Sequence, residues 1–182
     1  MALASCRTLS PVAVGSWPER RSALQALDHY EVNGQMAAAT TTEGYSASMR
    51  WQQQGTTSDL LLRAPLGMGG ARLNFDGAVL RITNSQGLQL EGSAADAEML
   101  RLLGFRPPLS SLRYWLLGVP DPGSEALESV DSQQRLTKLQ QGEWQIDYLD
   151  YSSSANQWMP HRVELHHGPV RLKLQLAHWQ IQ

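Results

Sequence analysis

The sequence predicts a mainly-β fold in which one long antiparallel sheet curls around its apolar face. Apolar residues occupy every second position in segments such as 45–51 and 144–148, and this alternation is typical of strands with one face in water. Turn signals separate the segments, the strongest being Asp76-Gly77. About ten strands can be linked in this way, and an up-and-down sheet of that length is expected to curl and hide its edges.

The alternation recurs along most of the chain. The other alternating segments are 80–82, 88–90, 163–165 and 172–176. The other turn signals are Gln86-Gly87, Gln141-Gly142 and His167-Gly168-Pro169. These positions divide the strands into two blocks, one before and one after a stretch with helical spacing.

Three helices are predicted. The first covers residues 18–30, with Pro18 in its first turn and apolar residues at spacings of three and four. The second is Ser93–Leu103, with Ser93 as N-cap and Gly104 as its end, and the third covers 109–117 and ends before Gly118. The apolar stripes are Ala23, Leu24, Leu27 and Tyr30, then Ala94, Ala97, Leu100 and Leu103, then Leu112, Trp115 and Leu116.

The last two helices lie between the two blocks of strands. A curled sheet with an apolar concave face needs a cover over its mouth, and these helices are the available candidates. Residues 119–132 contain two prolines and few apolar side chains, and are predicted to form a polar loop.

Size and charge limit the function classes. A chain of 182 residues favours one domain with a substantial core. The 15 Lys and Arg residues against 17 Asp and Glu residues argue against nucleic acid as a partner. No phosphate-binding loop of the G-x-x-x-x-G-K-[ST] type occurs, so no nucleotide is expected. No apolar run approaches the roughly 20 residues of a membrane-spanning helix, so we expect a soluble body.

The single cysteine stands near the start of the chain. Cys6 follows Leu-Ala-Ser, and the tetrad resembles the lipobox at which bacterial lipoproteins are cleaved and lipidated. We therefore predict that residues 1–6 are the remnant of a lipoprotein signal peptide and that Cys6 carries lipid. Residues 7–16 then form a flexible tether, and 17–182 a single domain. The alternative is an exposed thiol in a tail.

Several short motifs, in this order and spacing, make the chain similar to the LolB family over most of residues 17–182. They are 24–27 (Leu-Gln-Ala-Leu), 46–51 (Ser-Ala-Ser-Met-Arg-Trp), 65–67 (Pro-Leu-Gly), 112–120 (Leu-Arg-Tyr-Trp-Leu-Leu-Gly-Val-Pro), 142–148 (Gly-Glu-Trp-Gln-Ile-Asp-Tyr) and 172–176 (Leu-Lys-Leu-Gln-Leu). The resemblance implies a half-open, unclosed antiparallel β-barrel of about ten or eleven strands with helices covering its mouth.

The same resemblance implies a function and its partners. It implies receipt of acylated lipoproteins from the periplasmic carrier LolA and their insertion into the outer membrane, by a lipid-anchored protein facing the periplasm. Leu66, and Met68 after it, would touch the membrane from a loop. We expect a monomer without cofactors. The predicted acyl-chain cavity is lined by Met49, Trp51, Leu62, Ile82, Leu90, Leu100, Leu112, Trp115, Trp144, Ile146, Leu165 and Leu174.

Other functions are weighed against this one. An enzyme is not expected, because neither G-x-S-x-G nor H-E-x-x-H occurs, although a triad can assemble from distant residues. A metal site is not expected, because His166 and His167 point to opposite faces of a strand. A lipocalin-like module for another apolar ligand remains the alternative. Pattern alone cannot separate tryptophans that fill a core from those that line a cavity.

Overall fold

The computed structural model describes residues 15–67, 69–154 and 157–182. Three α-helices are described: α1 (Trp17–Gln25), α2 (Ser93–Leu103) and α3 (Leu109–Leu116). The first six strands are β1 (His29–Ala39), β2 (Gly44–Gln54), β3 (Thr57–Arg63), β4 (Gly70–Phe75), β5 (Leu80–Asn84) and β6 (Gln89–Glu91). The remaining strands are β7 (Ala126–Val130), β8 (Leu136–Gln141), β9 (Trp144–Ser154), β10 (Gln157–His167) and β11 (Val170–Ile181).

All of these strands form one antiparallel sheet of 11 strands. Its order is β6-β5-β4-β3-β2-β1-β11-β10-β9-β8-β7, so consecutive strands are neighbours within each block and β1 pairs with β11 to join the blocks. Within the described residues, β6 and β7 are the two edges and no ladder connects them. The prediction of an unclosed antiparallel barrel of ten or eleven strands is confirmed.

The two faces of the sheet differ in chemistry. Inward side chains such as Val32, Trp51 and Ile146 are buried in one continuous core that also includes residues of α2 and α3. Ion pairs occupy the outer face, among them Arg50–Glu31 at 2.7 Å and Arg72–Asp59 at 2.8 Å. Such exposed pairs contribute little stability each, so the apolar inner face is the main source of folding free energy.

The first helix is shorter than predicted. It ends at Gln25, and Tyr30 lies in β1, where it is buried and pairs with Ile181. The prediction of a helix to Tyr30 was wrong because β1 forms ladders with both β2 and β11, and this tertiary pairing outweighs a helical spacing. Ser16, which we had assigned to the tether, caps the helix in a reciprocal capping box with Glu19.

The second helix has the predicted limits but a different buried face. Leu103 of the predicted stripe is buried, together with Ala95 and Met99, whereas the other predicted residues, Ala94, Ala97 and Leu100, are exposed. The segment is apolar on two adjacent stripes, and the sequence period alone could not choose between them. The N-cap is Gly92 rather than Ser93.

Two further predictions were wrong at the following segment. Helix α3 ends at Leu116 rather than Leu117, and residues 119–132 are not wholly loop, because 126–130 form β7. This strand is held by backbone pairing with β8 at the edge of the sheet. Its side chains are mostly solvent-facing, so it carries no alternating signal.

Candidate functional site

The concave face of the sheet gathers most of the residues that were predicted to line an acyl-chain cavity. All but two of the predicted lining residues are buried, with exposed fractions of 9% or less. Leu90 is half-buried and packs against the same core. Leu100 is 47% exposed and lies on the outer side of α2, so it is not part of this cluster. The concave face is therefore apolar and covered by helices.

Helix α3 is fastened to the second block of strands by buried hydrogen bonds. The Tyr148 hydroxyl donates to the Trp115 carbonyl at 2.9 Å, and the Trp115 indole N–H donates to Gln141 Oε1 at 2.8 Å. Burial raises the pKa of Tyr148 well above its usual value, so this hydroxyl stays protonated. The two bonds fix one face of α3 against β8 and β9.

The same helix is fastened to the first block. The Tyr30 hydroxyl donates to the carbonyl of Arg113, and Arg113 Nη1 donates to the carbonyl of Gly55 at 3.0 Å. A further bond, from the Ser111 hydroxyl to the Asp121 carboxylate at 2.7 Å, joins α3 to the segment that follows it. Helix α3 is thus a fixed element that spans the concave face between both halves of the sheet.

Gln141 is a buried polar side chain that organises the chain after α3. Its Oε1 also accepts from the Asp121 backbone N–H at 2.9 Å, and its Nε2 donates to the carbonyls of Asp121 and Ser124 at 2.7 and 3.0 Å. All of its polar atoms are satisfied, so its burial is compatible with stability. The Gln141-Gly142 signal predicts a turn at this residue, whereas Gln141 ends β8; its shared strand parity with the buried Leu139 is the signal that could have placed it inside.

Helix α2 is attached in another way. Ala95, Met99 and Leu103 pack against the core near β5 and β6. Within the described residues no side-chain hydrogen bond joins α2 to the sheet or to α3. The Arg101–Glu98 pair, at 2.6 Å, lies within the helix. The backbone bond from Gly92 N–H to the Leu80 carbonyl, at 3.1 Å, holds only its beginning.

The loop between β3 and β4 presents a leucine to solvent. Leu66 is 96% exposed and adopts φ 56° and ψ 21°, a left-handed conformation that disfavours side chains with a Cβ. The loop around it is closed by the bond from Ala64 N–H to the Gly69 carbonyl at 2.9 Å. Leu66 thus makes no contribution to the core and sits in a strained backbone.

Two of the predicted site residues, Cys6 and Met68, lie outside the described residues. In the part of the chain that the structure describes, no group of three or more His, Cys, Asp or Glu side chains could hold a metal ion. The helices in the described part of the chain are too short or too polar to cross a bilayer.

Comparison with known proteins agrees with this architecture. The family model described as outer membrane lipoprotein LolB matches residues 28–179. The chain is 37% identical to the outer-membrane lipoprotein LolB of Nitrosococcus oceani over 91% of this chain and 83% of that protein. It is 33% identical to the LolB of Pseudomonas syringae pv. syringae over 90% of this chain and 80% of that protein.

A solved structure extends the likeness to the fold. A LolA superfamily protein from Nitrosomonas europaea superposes with a TM-score of 0.61 at 10% identity, covering 92% of this chain and 94% of that one. At this identity the match concerns the fold alone. Taken with the family model and the two sequence relatives, it leads to one conclusion: the chain belongs to the LolB family of outer-membrane lipoproteins.

Proposed function

We propose that the chain is an outer-membrane receptor, lipid-anchored through Cys6 and facing the periplasm, that accepts acylated lipoproteins from the carrier LolA and inserts them into the outer membrane. Its family membership supports the localisation and the lipoprotein-handling role. The concave face supports the acceptor step, because acyl chains need an apolar enclosure in water. Burying one methylene is worth about 0.8 kcal/mol, so a multiply acylated protein is strongly retained until a membrane is reached.

The acceptor step requires room on the concave face. The lining side chains there pack against the helices, so a cover must move for acyl chains to enter. Helix α2 is the element whose contacts allow this, because among the residues that the structure describes only apolar contacts and the backbone bond at Gly92 join it to the rest of the chain. Acyl chains can replace the apolar contacts that Met99 and its neighbours lose, so the exchange is close to neutral in free energy.

The observation that carries the delivery step is Leu66. A side chain that is 96% exposed on a left-handed backbone gains nothing from the described hydrophobic core. Strain of this kind is typical of functional sites, where it persists because another role requires the residue. Burial of one leucine in lipid gains about 1.5–3 kcal/mol, which is enough to orient a loaded barrel towards the bilayer. A lipocalin-like carrier of another ligand gives no reason for such a residue.

The test is Leu66→Glu with a matched control. Leu127 on the edge strand is 71% exposed, so Leu127→Glu introduces the same charge at an exposed leucine elsewhere. We expect Leu66→Glu to fold and to accept lipoprotein from LolA nearly as the unaltered protein does, while delivery into liposomes falls at least about tenfold. Leu127→Glu should deliver normally. Wild-type delivery by Leu66→Glu would remove this loop from the mechanism.

A second variant separates function from stability. Leu66→Gly relieves the left-handed strain but increases the freedom of the unfolded chain. The two effects are each about 1 kcal/mol and opposed, so thermal stability should be unchanged or slightly higher. Delivery should nevertheless be impaired, since the apolar side chain is gone. Loss of both stability and delivery would mean that Leu66 supports the fold.

A further inference from the structure

Exposed apolar side chains are unevenly distributed over the molecule. Within the described residues, four of the seven large ones lie around one end of the first block of strands: Tyr45, Leu66, Leu88 and Leu100. We call these four residues the apolar rim. The other three are Leu127 and Val130 on the edge strand β7 and Leu149 on the outer face of β9.

The sheet topology places the rim at one end of the first block. Strand β3 ends, and β4 begins, at the end where β5 stops, because Arg63 pairs with Gly70 and Ala71 with Asn84. The loop carrying Leu66 and the turn carrying Leu88 are adjacent there, since a Cβ on Gly69 would lie 3.3 Å from Ser85 Oγ. The two leucines therefore stand on neighbouring hairpin ends.

Leu88 is held at this position by the bonds of its own turn. Asn84 Oδ1 accepts the backbone N–H groups of Gln86 and Leu88, both at 3.0 Å. The Asn84 carbonyl accepts the backbone N–H of Gly87 at 3.0 Å, and the Asn84 N–H donates to the Leu88 carbonyl at 3.1 Å. The turn is thus built from local polar contacts, and the Leu88 side chain remains 54% exposed.

Tyr45 and Leu100, the other two members of the apolar rim, lie near the same end of the first block. Tyr45 lies at the start of β2, one hairpin end away from Leu66. The end of α2 reaches the same place, because a Cβ on Gly104 would lie 2.7 Å from Thr40 Cγ2 in the β1–β2 loop. Leu100 is on the outer side of this last turn, so the rim continues from the hairpins onto the movable helix.

Cationic groups accompany the rim. Arg63 ends β3 and Arg106 follows α2; both are exposed, and neither forms an ion pair within the described residues. Arg101 is paired with Glu98, and the exposed Glu43 accepts a hydrogen bond from Tyr45. Exposed apolar side chains can enter the bilayer interface, and arginines without an ion pair are attracted to anionic head groups, so this combination matches a bilayer surface that contains anionic lipid.

The matching end of the second block is different. Its turns carry the polar residues Glu143 and His167, whose Oε2 and Nε2 atoms are 3.0 Å apart; the exposed apolar residue nearest this end, Leu127, lies within edge strand β7 opposite Gln140 rather than in a turn. A lipid surface would therefore be contacted by one block of the sheet rather than by the whole mouth.

We propose that the apolar rim is a membrane-docking surface, and that Leu88 enters the bilayer interface as a second contact beside Leu66. The inference rests on the proposed function and deepens its delivery step. Two contacts on adjacent hairpins fix the orientation of the barrel on the membrane, which a single leucine leaves free to rotate. They also place α2, the proposed cover, next to the lipid.

Site-specific fluorescence tests the inference directly. In a full-length Cys6→Ser background, a polarity-sensitive dye is attached to Leu66→Cys, Leu88→Cys or Leu149→Cys. Leu149 is the matched control because it has the same 54% exposure as Leu88 but lies on the outer face. Vesicles of phosphatidylethanolamine and phosphatidylglycerol should shift the emission of the first two dyes to the blue and leave the third unchanged. Vesicle affinity should fall about five- to tenfold in Leu88→Glu and remain unchanged in Leu149→Glu.

The outcomes separate the two proposals. A shift at position 66 with none at position 88 would overturn the second contact and leave the proposed delivery loop standing. No shift at either position would contradict the membrane role of Leu66 itself. If Leu88→Glu weakened acceptance from LolA while vesicle affinity stayed normal, the rim would be a protein-docking surface, and the inference would be wrong.

Discussion

Helices α2 and α3 lie over the same apolar sheet but are attached by different forces. Helix α3 is bonded to both blocks through groups such as Tyr148, Gln141 and the Gly55 carbonyl. Helix α2 presents Ala95, Met99 and Leu103 to the core and forms no side-chain hydrogen bond outside itself within the described residues. Hydrogen bonds require one geometry, whereas apolar contacts can be exchanged for other apolar contacts. Helix α3 can therefore serve as a fixed support (the floor), while α2 can serve as a cover that acyl chains displace.

The largest expected difference concerns buried side chains of the two helices. Trp115→Ala should lower the free energy of unfolding by about 3–5 kcal/mol, because it leaves a cavity under a helix that cannot move to fill it. Met99→Ala should lower it by less, about 2 kcal/mol or under. The loss of stability in Met99→Ala cannot exceed the free energy that holds α2 against the core, because the Met99 side chain contributes nothing once α2 has moved away.

Urea unfolding followed by tryptophan fluorescence and by circular dichroism measures both values. Trp51 and Trp144 remain as reporters in the Trp115 variant. Equal losses in the two variants would indicate that α2 is as firmly integrated as α3, and the contrast between floor and cover would disappear.

A smaller effect isolates the hydrogen bonds of α3. Tyr148→Phe removes the donor to the Trp115 carbonyl, which still accepts the N–H of Gly118 at 3.1 Å. Because that carbonyl keeps one partner, the expected loss is about 1 kcal/mol. The same unfolding titration measures it.

The matched change on α2 is Glu98→Gln. It removes the ion pair with Arg101, which lies within the helix and is largely exposed on the arginine side. The expected loss is under about 0.5 kcal/mol. A larger loss from Glu98→Gln than from Tyr148→Phe would reverse the assignment of the two helices.

Much of this arrangement could be predicted from the sequence, and the failures have physical causes. Strands with one solvent-facing side, such as 45–51 and 144–148, are recognised by their alternating apolar residues. The short turns between them predicted that consecutive strands pair. Residues 126–130 could not be recognised in this way, because an edge strand is held by backbone pairing, which does not require alternating side chains. Leu66 was singled out by the resemblance to the LolB family, which implies an apolar residue in this loop, and the neighbouring proline and glycines favoured a loop there.

The bonds that fix α3 could not be predicted in the same way. Tyr148 is an ordinary inward position of an alternating strand and Gln141 belongs to a turn signal, and their bonding partners are 33 and 26 residues away in the chain. No local period encodes such pairing. The choice between the two stripes of α2 likewise depends on which one meets the sheet, so Leu100 was placed inside although it is 47% exposed.

The most direct test of the central claim is a reversible lock on α2. In a Cys6→Ser background, Thr40→Cys and Gly104→Cys can form a disulfide, because a Cβ on Gly104 would lie 3.9 Å from the Thr40 Cβ, within the range that disulfides adopt. The beginning of α2 is already held through Gly92, so the bridge would fix both ends. The reduced form is the control for the strain of a cysteine at φ 75°.

The measurement is uptake of an acylated lipoprotein from LolA by the oxidised and the reduced double variant. We expect the oxidised protein to take up less than about a tenth of what the reduced protein takes up, and full recovery after addition of a thiol reductant. Equal uptake by both forms, with the disulfide confirmed by mass spectrometry, would contradict the account, because acyl chains would then enter without displacement of α2.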